Sequence, residues 1–355
     1  MRIAVIGGGI FGVSTAFTLG LEHDVDLYEK NSDIMLSASD VNQCRIHRGY
    51  HYPRSLETTS SLLKSEKKFF ELFSSSIIPN IENYYCISKR DSLTSPNDYL
   101  AFCKKAGLEY DECKISVVDP NSVDLCIKVQ ENIFEHSILK KICRNKLRDS
   151  NVKIHLNTTV DQEIFKKYDH VIIATYADSN RLLSKFPESQ VDYQFEVCEK
   201  VFVKLPYIFH NKSILVMDGP FMSVDPIDSS NNFIIGDVVN TVHQRNIGKF
   251  PEFDEKFLDV LNKGLIKNPK ISNYKHFIKS ASEFFPEIIK AEYLGSSFCI
   301  KNVLANVDTT DERPTLVRQI SPKITTIFSG KIPTCIEAAY QVKEIIDTKT
   351  RKIKI

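Results

Sequence analysis

The chain has no apolar run approaching the roughly 18 residues that a membrane-spanning helix requires, and almost no net charge. Its 46 basic and 45 acidic side chains nearly cancel over 355 residues. That balance removes the general field that nucleic acid or an anionic membrane surface would call for. It also lacks any C-x-x-C pair: nine cysteines stand singly at 44, 86, 103, 113, 126, 143, 198, 299 and 335. An odd count at such spacings fits reduced thiols, and a cytoplasmic location, better than a disulfide frame or a zinc site. The histidines form no metal constellation either, because the one His-x-x-x-His pair, His47 and His51, falls in a loop where that spacing has no helical meaning. No internal repeat, low-complexity linker or secretory signal is apparent, and the first strand begins at residue two. With 26% charged and 42% hydrophobic residues, the composition is that of an ordinary globular chain.

What the chain does have stands at its beginning. The apolar run Arg2-Ile3-Ala4-Val5-Ile6 leads into Gly7-Gly8-Gly9-Ile10-Phe11-Gly12, then a helical pattern, then Val25-Asp26-Leu27-Tyr28 and Glu29. This is a βαβ unit with a G-x-G-x-x-G turn and a terminal acid. Gly7 suits the tight turn, Gly9 lets backbone approach a pyrophosphate, and Gly12 lets the helix pack close to the sheet. The helix N-terminus favours a diphosphate, and a carboxylate at Glu29 can accept hydrogen bonds from a ribose diol.

Further along, apolar spacing predicts helices over 56–73, 96–106 (closed by Gly107), 133–147, 253–266 and 334–346. Strands are expected at 84–88, 152–156, 170–175 and 324–328. Short alternating runs between 190 and 235 predict an antiparallel sheet. Nucleotide-fold elements thus appear at the start, middle and end of the chain. The expected fold class is α/β with α+β, a Rossmann-like domain interleaved with an antiparallel-sheet substrate domain. The boundaries are 1–80, 131–185 and 299–355 for the first, 81–130 and 186–298 for the second.

A second block is unusual: Asn42-Gln43-Cys44-Arg45-Ile46-His47-Arg48-Gly49-Tyr50-His51-Tyr52. Together with the glycine turn, Glu29-Lys30, the strand ending Ala174-Thr175, Asp311-Glu312-Arg313-Pro314 and Ser329-Gly330-Lys331, it gives the chain a family likeness. The chain resembles the FAD-dependent oxidoreductases of the D-amino-acid oxidase and glycine oxidase type, nearest the branch that includes L-2-hydroxyglutarate dehydrogenase. The resemblance implies a noncovalent FAD held by Gly7, Gly9, Ile10, Phe11, Gly12, Glu29, Lys30, Ser39, Asn42, Gln43, Val160, Ala174, Gly330, Lys331 and Ile332. Two positions depart from the family pattern. Tyr176 stands where Ala-Thr-Gly is usual, and Gly330 is alone, followed by Lys331, in a turn that usually holds more glycines.

A flavin enzyme of this type removes hydride from a carbon bearing oxygen or nitrogen, so the protein must anchor the substrate and manage one proton. His47 and His51 are the base candidates. Arg313 is expected as a catalytic or anchoring cation at the flavin edge, and Arg45 and Arg48 as forks for a substrate anion. Tyr52 and Tyr176 are expected to shape the substrate pocket. The expected activity is oxidation of a small polar anionic molecule at a CH–OH carbon, with an unidentified electron acceptor and neither nucleic acid nor membrane span. Alternatives are an amino-acid or amine oxidase, oxidation of a sugar or nucleotide-linked intermediate of surface-polysaccharide assembly, and a non-catalytic nucleotide binder.

Overall fold

Ile3 to Ile6 are all buried, as a strand covered on both faces must be. The computed structural model, which describes residues 1–219, 222–305 and 313–353, sets this strand, Arg2–Ile6, inside a six-stranded sheet. The order across it is Leu316–Ser321, Ile324–Phe328, His170–Ile173, Arg2–Ile6, Asp24–Tyr28 and Val152–His155. All neighbours run parallel except the edge strand Leu316–Ser321. Three separate stretches of chain therefore build one sheet. The helix Ile10–Leu19 is buried along its whole length, because the helices His136–Arg148 and Cys335–Ile353 pack over it in the same core.

The second sheet has nine strands. Tyr193–Lys204 pairs along its length with Glu292–Leu304, and on its other side with Val242–Gly248 and then Asn232–Asp237. The sheet continues through Met222–Pro226, Lys212–Met217, Glu82–Ser88, Val123–Val129 and Tyr110–Glu112. It is antiparallel as expected with one exception: Lys212–Met217 runs parallel to Glu82–Ser88. That seam joins two chain excursions far apart in sequence, so no hairpin dictates its direction.

Local signals account for several helices. Ser55 accepts the Thr58 N–H at the start of Leu56–Phe73. Pro96–Ala106 begins with Ser95 and Pro96 and ends at left-handed Gly107, each residue in its favoured position. The helix expected over 253–266 is not there; the structure has only a short 3-10 turn, Glu255–Phe257. The Asn262 N–H instead donates to Phe298 O, and Ile266 exchanges two backbone bonds with Ser296. Pairing to the edge of Glu292–Leu304 outweighs helical spacing here, leaving Leu258 and Leu265 exposed. A helix at Tyr274–Ala281 had no counterpart in the sequence reading.

The glycine turn is rigid for a steric reason. A Cβ on Gly12 would lie 1.9 Å from Gly7 O, whereas one on Gly107 would meet nothing within 4 Å. Gly12→Ala is therefore expected to destabilise the fold by about 2–3 kcal/mol through forced separation of helix and turn. Gly107→Ala should cost only about 1 kcal/mol, for its left-handed backbone. Thermal melts of the two variants should rank in that order.

Candidate active site

A cavity of about 490 Å³ runs between the two sheets. At one end it is lined by the glycine turn, Glu29, Lys30, Thr158, Val160 and Arg181. Gly7 has φ +107°, and a Cβ there would sit 2.4 Å from Ala174 O. The Glu29 carboxylate accepts the Gly8 N–H at 2.6 Å and the Asn31 N–H at 2.8 Å. Ser39 Oγ accepts the Ile10 N–H at 3.0 Å, at the mouth of the first helix. A carboxylate, a helix N-terminus and bare glycine backbone in this order fit a dinucleotide's ribose and diphosphate. Gly9, Ile10, Phe11, Lys30, Ser39, Asn42, Gln43, Val160, Ala174, Gly330, Lys331 and Ile332 also line the cavity, and Gly12 lies behind it as a packing residue.

The other end lies between loop 42–52 and the nine-stranded sheet. Arg45 anchors the loop. Its Nε donates to Asp225 Oδ1 at 2.8 Å, Nη1 to Glu131 Oε2 at 3.0 Å and Nη2 to Ser213 Oγ at 2.5 Å. Glu131 also accepts from the Tyr85 hydroxyl at 2.7 Å and the Arg48 N–H at 2.9 Å. Burial alone would raise the Glu131 carboxyl, but its contacts with His47, Arg45 and Tyr85 outweigh that and bring it down to about 2. His47 Nδ1 lies 3.7 Å from Glu131 Oε1. The rings of His47 and His51 meet edge-on with centroids 5.0 Å apart, and Tyr52 packs against both. Burial lowers the pKa of His47 below the usual histidine value, and burial with the charges around His51 takes that group well below it.

The structure redistributes the expected substrate contacts. Arg45 touches the cavity but commits its fork to Asp225, Glu131 and Ser213, so it fixes the loop. Arg48 is outside the cavity wall, paired with Glu66 at 3.0 Å and Gln130 O at 3.1 Å. Tyr52 is likewise outside, buried beneath Lys331, whose Nζ stands 5.1 Å from the ring centroid. His47, His51, Arg313 and Tyr176 do line the cavity. Asp311 and Glu312 fall outside the described residues.

The departures from the family pattern have structural explanations. Tyr176 adopts φ +56°, a conformation natural to glycine and strained for tyrosine. Its hydroxyl accepts the Asn302 N–H at 3.0 Å and its carbonyl accepts Asn302 Nδ2 at 3.3 Å, which hold the turn. A Cβ on Gly330 would approach Arg313 O to 2.3 Å, so a side chain at this position would collide with the Arg313 backbone.

Sequence reasoning missed the sheet wall. Gln194, Glu196, Cys198 and Lys200, alternate residues of one strand, all face the cavity, joined by Leu215, Ser223, Gly236 and Lys301. The signal was the polar alternation itself, which resembles a solvent-facing strand. Glu131 was also missed; no local pattern marks it.

Comparison with known proteins agrees with this geometry. Residues 2–111 match the family described as FAD dependent oxidoreductase. The FAD-dependent monooxygenase kojA of Aspergillus flavus is 27% identical over 99% of this chain and 87% of its own length. The FAD-dependent monooxygenase FPY4 of Fusarium mangiferae is 24% identical over 98% and 92%. The chain is an FAD-dependent oxidoreductase. Its fold is shared with glycine oxidase from Geobacillus kaustophilus (TM-score 0.72, 14% identity, 98% of this chain and 95% of that one). L-alpha-glycerophosphate oxidase from Mycoplasma pneumoniae is similar to the same degree (TM-score 0.70, 14% identity, 98% and 94%). Among the described residues no helix is long and apolar enough to cross a membrane.

The Gly9 Cβ position lies 3.3 Å from Ser39 Oγ, at the entrance to the helix N-terminus. Gly9→Val should close that approach and yield soluble, colourless protein. Normal FAD content in the purified variant, read from its absorption spectrum, would refute the assignment of this turn.

Proposed function

We propose that this enzyme oxidises a small polar, anionic molecule at a carbon bearing a hydroxyl group. The observation that carries the reading is the pair His47 and His51, half-buried in the cavity wall, where burial lowers the pKa of both. FAD, when bound, supplies the acceptor for the hydride. The chain's own work is then proton management. The His47 imidazole takes the hydroxyl proton as the carbon is oxidised. Glu131, 3.7 Å from its Nδ1, stabilises the imidazolium that forms. Tyr52 packs against both rings and limits their rotation. An amine substrate needs no such base if it enters neutral, so this arrangement favours the alcohol. Release of the flavin into solution on heating would support noncovalent binding.

The curated relatives favour a second reading. Both are named FAD-dependent monooxygenases and align with nearly the whole chain, so reaction of the reduced enzyme with oxygen to hydroxylate its substrate is the alternative. Labelled dioxygen separates the two. A dehydrogenase or oxidase incorporates none of the label into product, whereas a monooxygenase incorporates one atom.

Anaerobic mixing with a panel of 2-hydroxy acids and amino acids should bleach the flavin with the former. His47→Ala should keep its colour and lose about 10²–10⁴-fold in the rate of bleaching. His47 must be unprotonated to act, and its pKa is lowered in the fold. The rate should therefore hold at neutral pH and decline only as pH falls below the ordinary histidine value of about 6.5. An acid limb above 7, or an unchanged rate in the variant, would place the base elsewhere.

A further inference from the structure

Lys200 sits on the strand Tyr193–Lys204 at 2% exposure, yet it lines the cavity. Lysine is almost never buried unless paired. Here no carboxylate of the described residues lies within 4.0 Å of its ammonium, and it makes no hydrogen bond to them. One residue along, Val201 pairs with Ile235, which sets Lys200 beside Gly236. Gly236 pairs with Ser223, and Ser223 with Leu215. Lys200, Gly236, Ser223 and Leu215 thus form one row across the sheet, every member lining the cavity. A Cβ on Gly236 would fall 2.5 Å from Ser223 Oγ and 2.7 Å from Gln43 Nε2, so the loop amide closes onto this row. Lys301, on the neighbouring strand, is a second cavity-lining cation without an ion pair among the described residues.

We propose that Lys200, with Lys301, forms the oxyanion-binding subsite that orients the substrate, a carboxylate or phosphate on the molecule that is oxidised. This rests on the anionic-substrate reading above and moves the anchor from the loop arginines to the sheet. The arginine fork of Arg45 is occupied; the ammonium of Lys200 is not. Burial, and then the charge of Lys301, pull the Lys200 pKa down to about 7, with Asp225 and the thiols of Cys198 and Cys299 acting in the opposite sense. Asp225 acts on it only from beyond ion-pair distance: its Oδ1 is held by Arg45 and Ser213, and its Oδ2, which has no hydrogen-bond partner, does not reach the ammonium. An incoming oxyanion supplies the missing counter-charge in a low-dielectric site, where charge-assisted hydrogen bonds are strongest.

The test uses FAD-loaded enzyme titrated with acetate and, separately, inorganic phosphate, followed by the visible difference spectrum of the flavin. Saturable perturbation by either anion is expected, and which one binds more tightly identifies the oxyanion. Lys200→Met should weaken that binding about tenfold or more, and Lys200→Arg should retain most of it. Lys200→Met should also melt at or above the wild-type temperature, because it removes an unpaired buried charge without leaving a cavity. An anion-insensitive wild type, or a Lys200→Met enzyme that titrates like wild type, overturns the proposal. So does a Lys200→Met protein that loses FAD or melts markedly lower, since lysine would then be structural. The hydroxyl reading fails separately. Bleaching by amines alone, with Lys200-dependent acetate binding intact, removes that reading and leaves the subsite standing.

Discussion

The buried guanidinium of Arg45 is the contact on which the site depends. It belongs to the loop that follows the first βαβ unit, yet its partners Asp225 and Ser213 belong to two strands of the nine-stranded sheet. Glu131, its third partner, lies just before the short strand Asn132–Ile133 that pairs with Arg45–Ile46. Desolvating these charges is expensive, and the cost is offset because Arg45 is paired at close range with both carboxylates, although Asp225 Oδ2 has no hydrogen-bond partner. Removing one partner would strand the others. The network consequently fixes the position of His47, two residues away, relative to the sheet.

That dependence explains what was legible in the sequence and what was not. The βαβ unit was readable because its determinants are consecutive: the buried strand, the glycine turn whose Cβ atoms would collide, and Glu29 reaching back to Gly8. The helix Leu56–Phe73 was readable for the same reason, since its cap and apolar face are local. The stretch 253–266 misled, because its apolar spacing suits a helix while its backbone pairs with a distant strand edge. The cavity's polar row was hidden for a related reason. Gln194, Glu196, Cys198 and Lys200 alternate like the exposed face of any sheet, and only tertiary structure distinguishes an enclosed cavity from open solvent.

Three arginines, Arg45, Arg48 and Arg54, occur within thirteen residues of loop 42–54. Composition cannot separate a guanidinium that binds substrate from one that holds the fold. The structure separates them by asking where the donors go: Arg45 to the sheet, Arg48 to Glu66 and Gln130, Arg54 to Asp218. Tyr176 illustrates the converse. It replaces a glycine at a position that still requires a positive φ, and the strain is held by both ends of the residue bonding to Asn302. The left-handed backbone is kept while a large side chain is added to the cavity wall.

The two walls of the cavity solve one electrostatic problem together. A histidine base must stay unprotonated, and a cation nearby is the simplest means, after burial, of disfavouring its protonation. Lys331, Arg45 and Arg313 act on His51 in this way, and Lys331 and Arg45 on His47. The same positive surroundings favour an anionic ligand, so on the proposed reading the conditions that lower the histidine pKa values also select what reaches them. Glu131 acts on His47 in the opposite sense, 3.7 Å from its Nδ1, and in the proposed reaction it would face the imidazolium. A cavity with the lysines alone would hold an anion but oppose proton transfer, and one with the carboxylate alone would hold a protonated histidine. The proposed reaction therefore needs both signs of charge, the lysines in the cavity lining and Glu131 at His47 Nδ1.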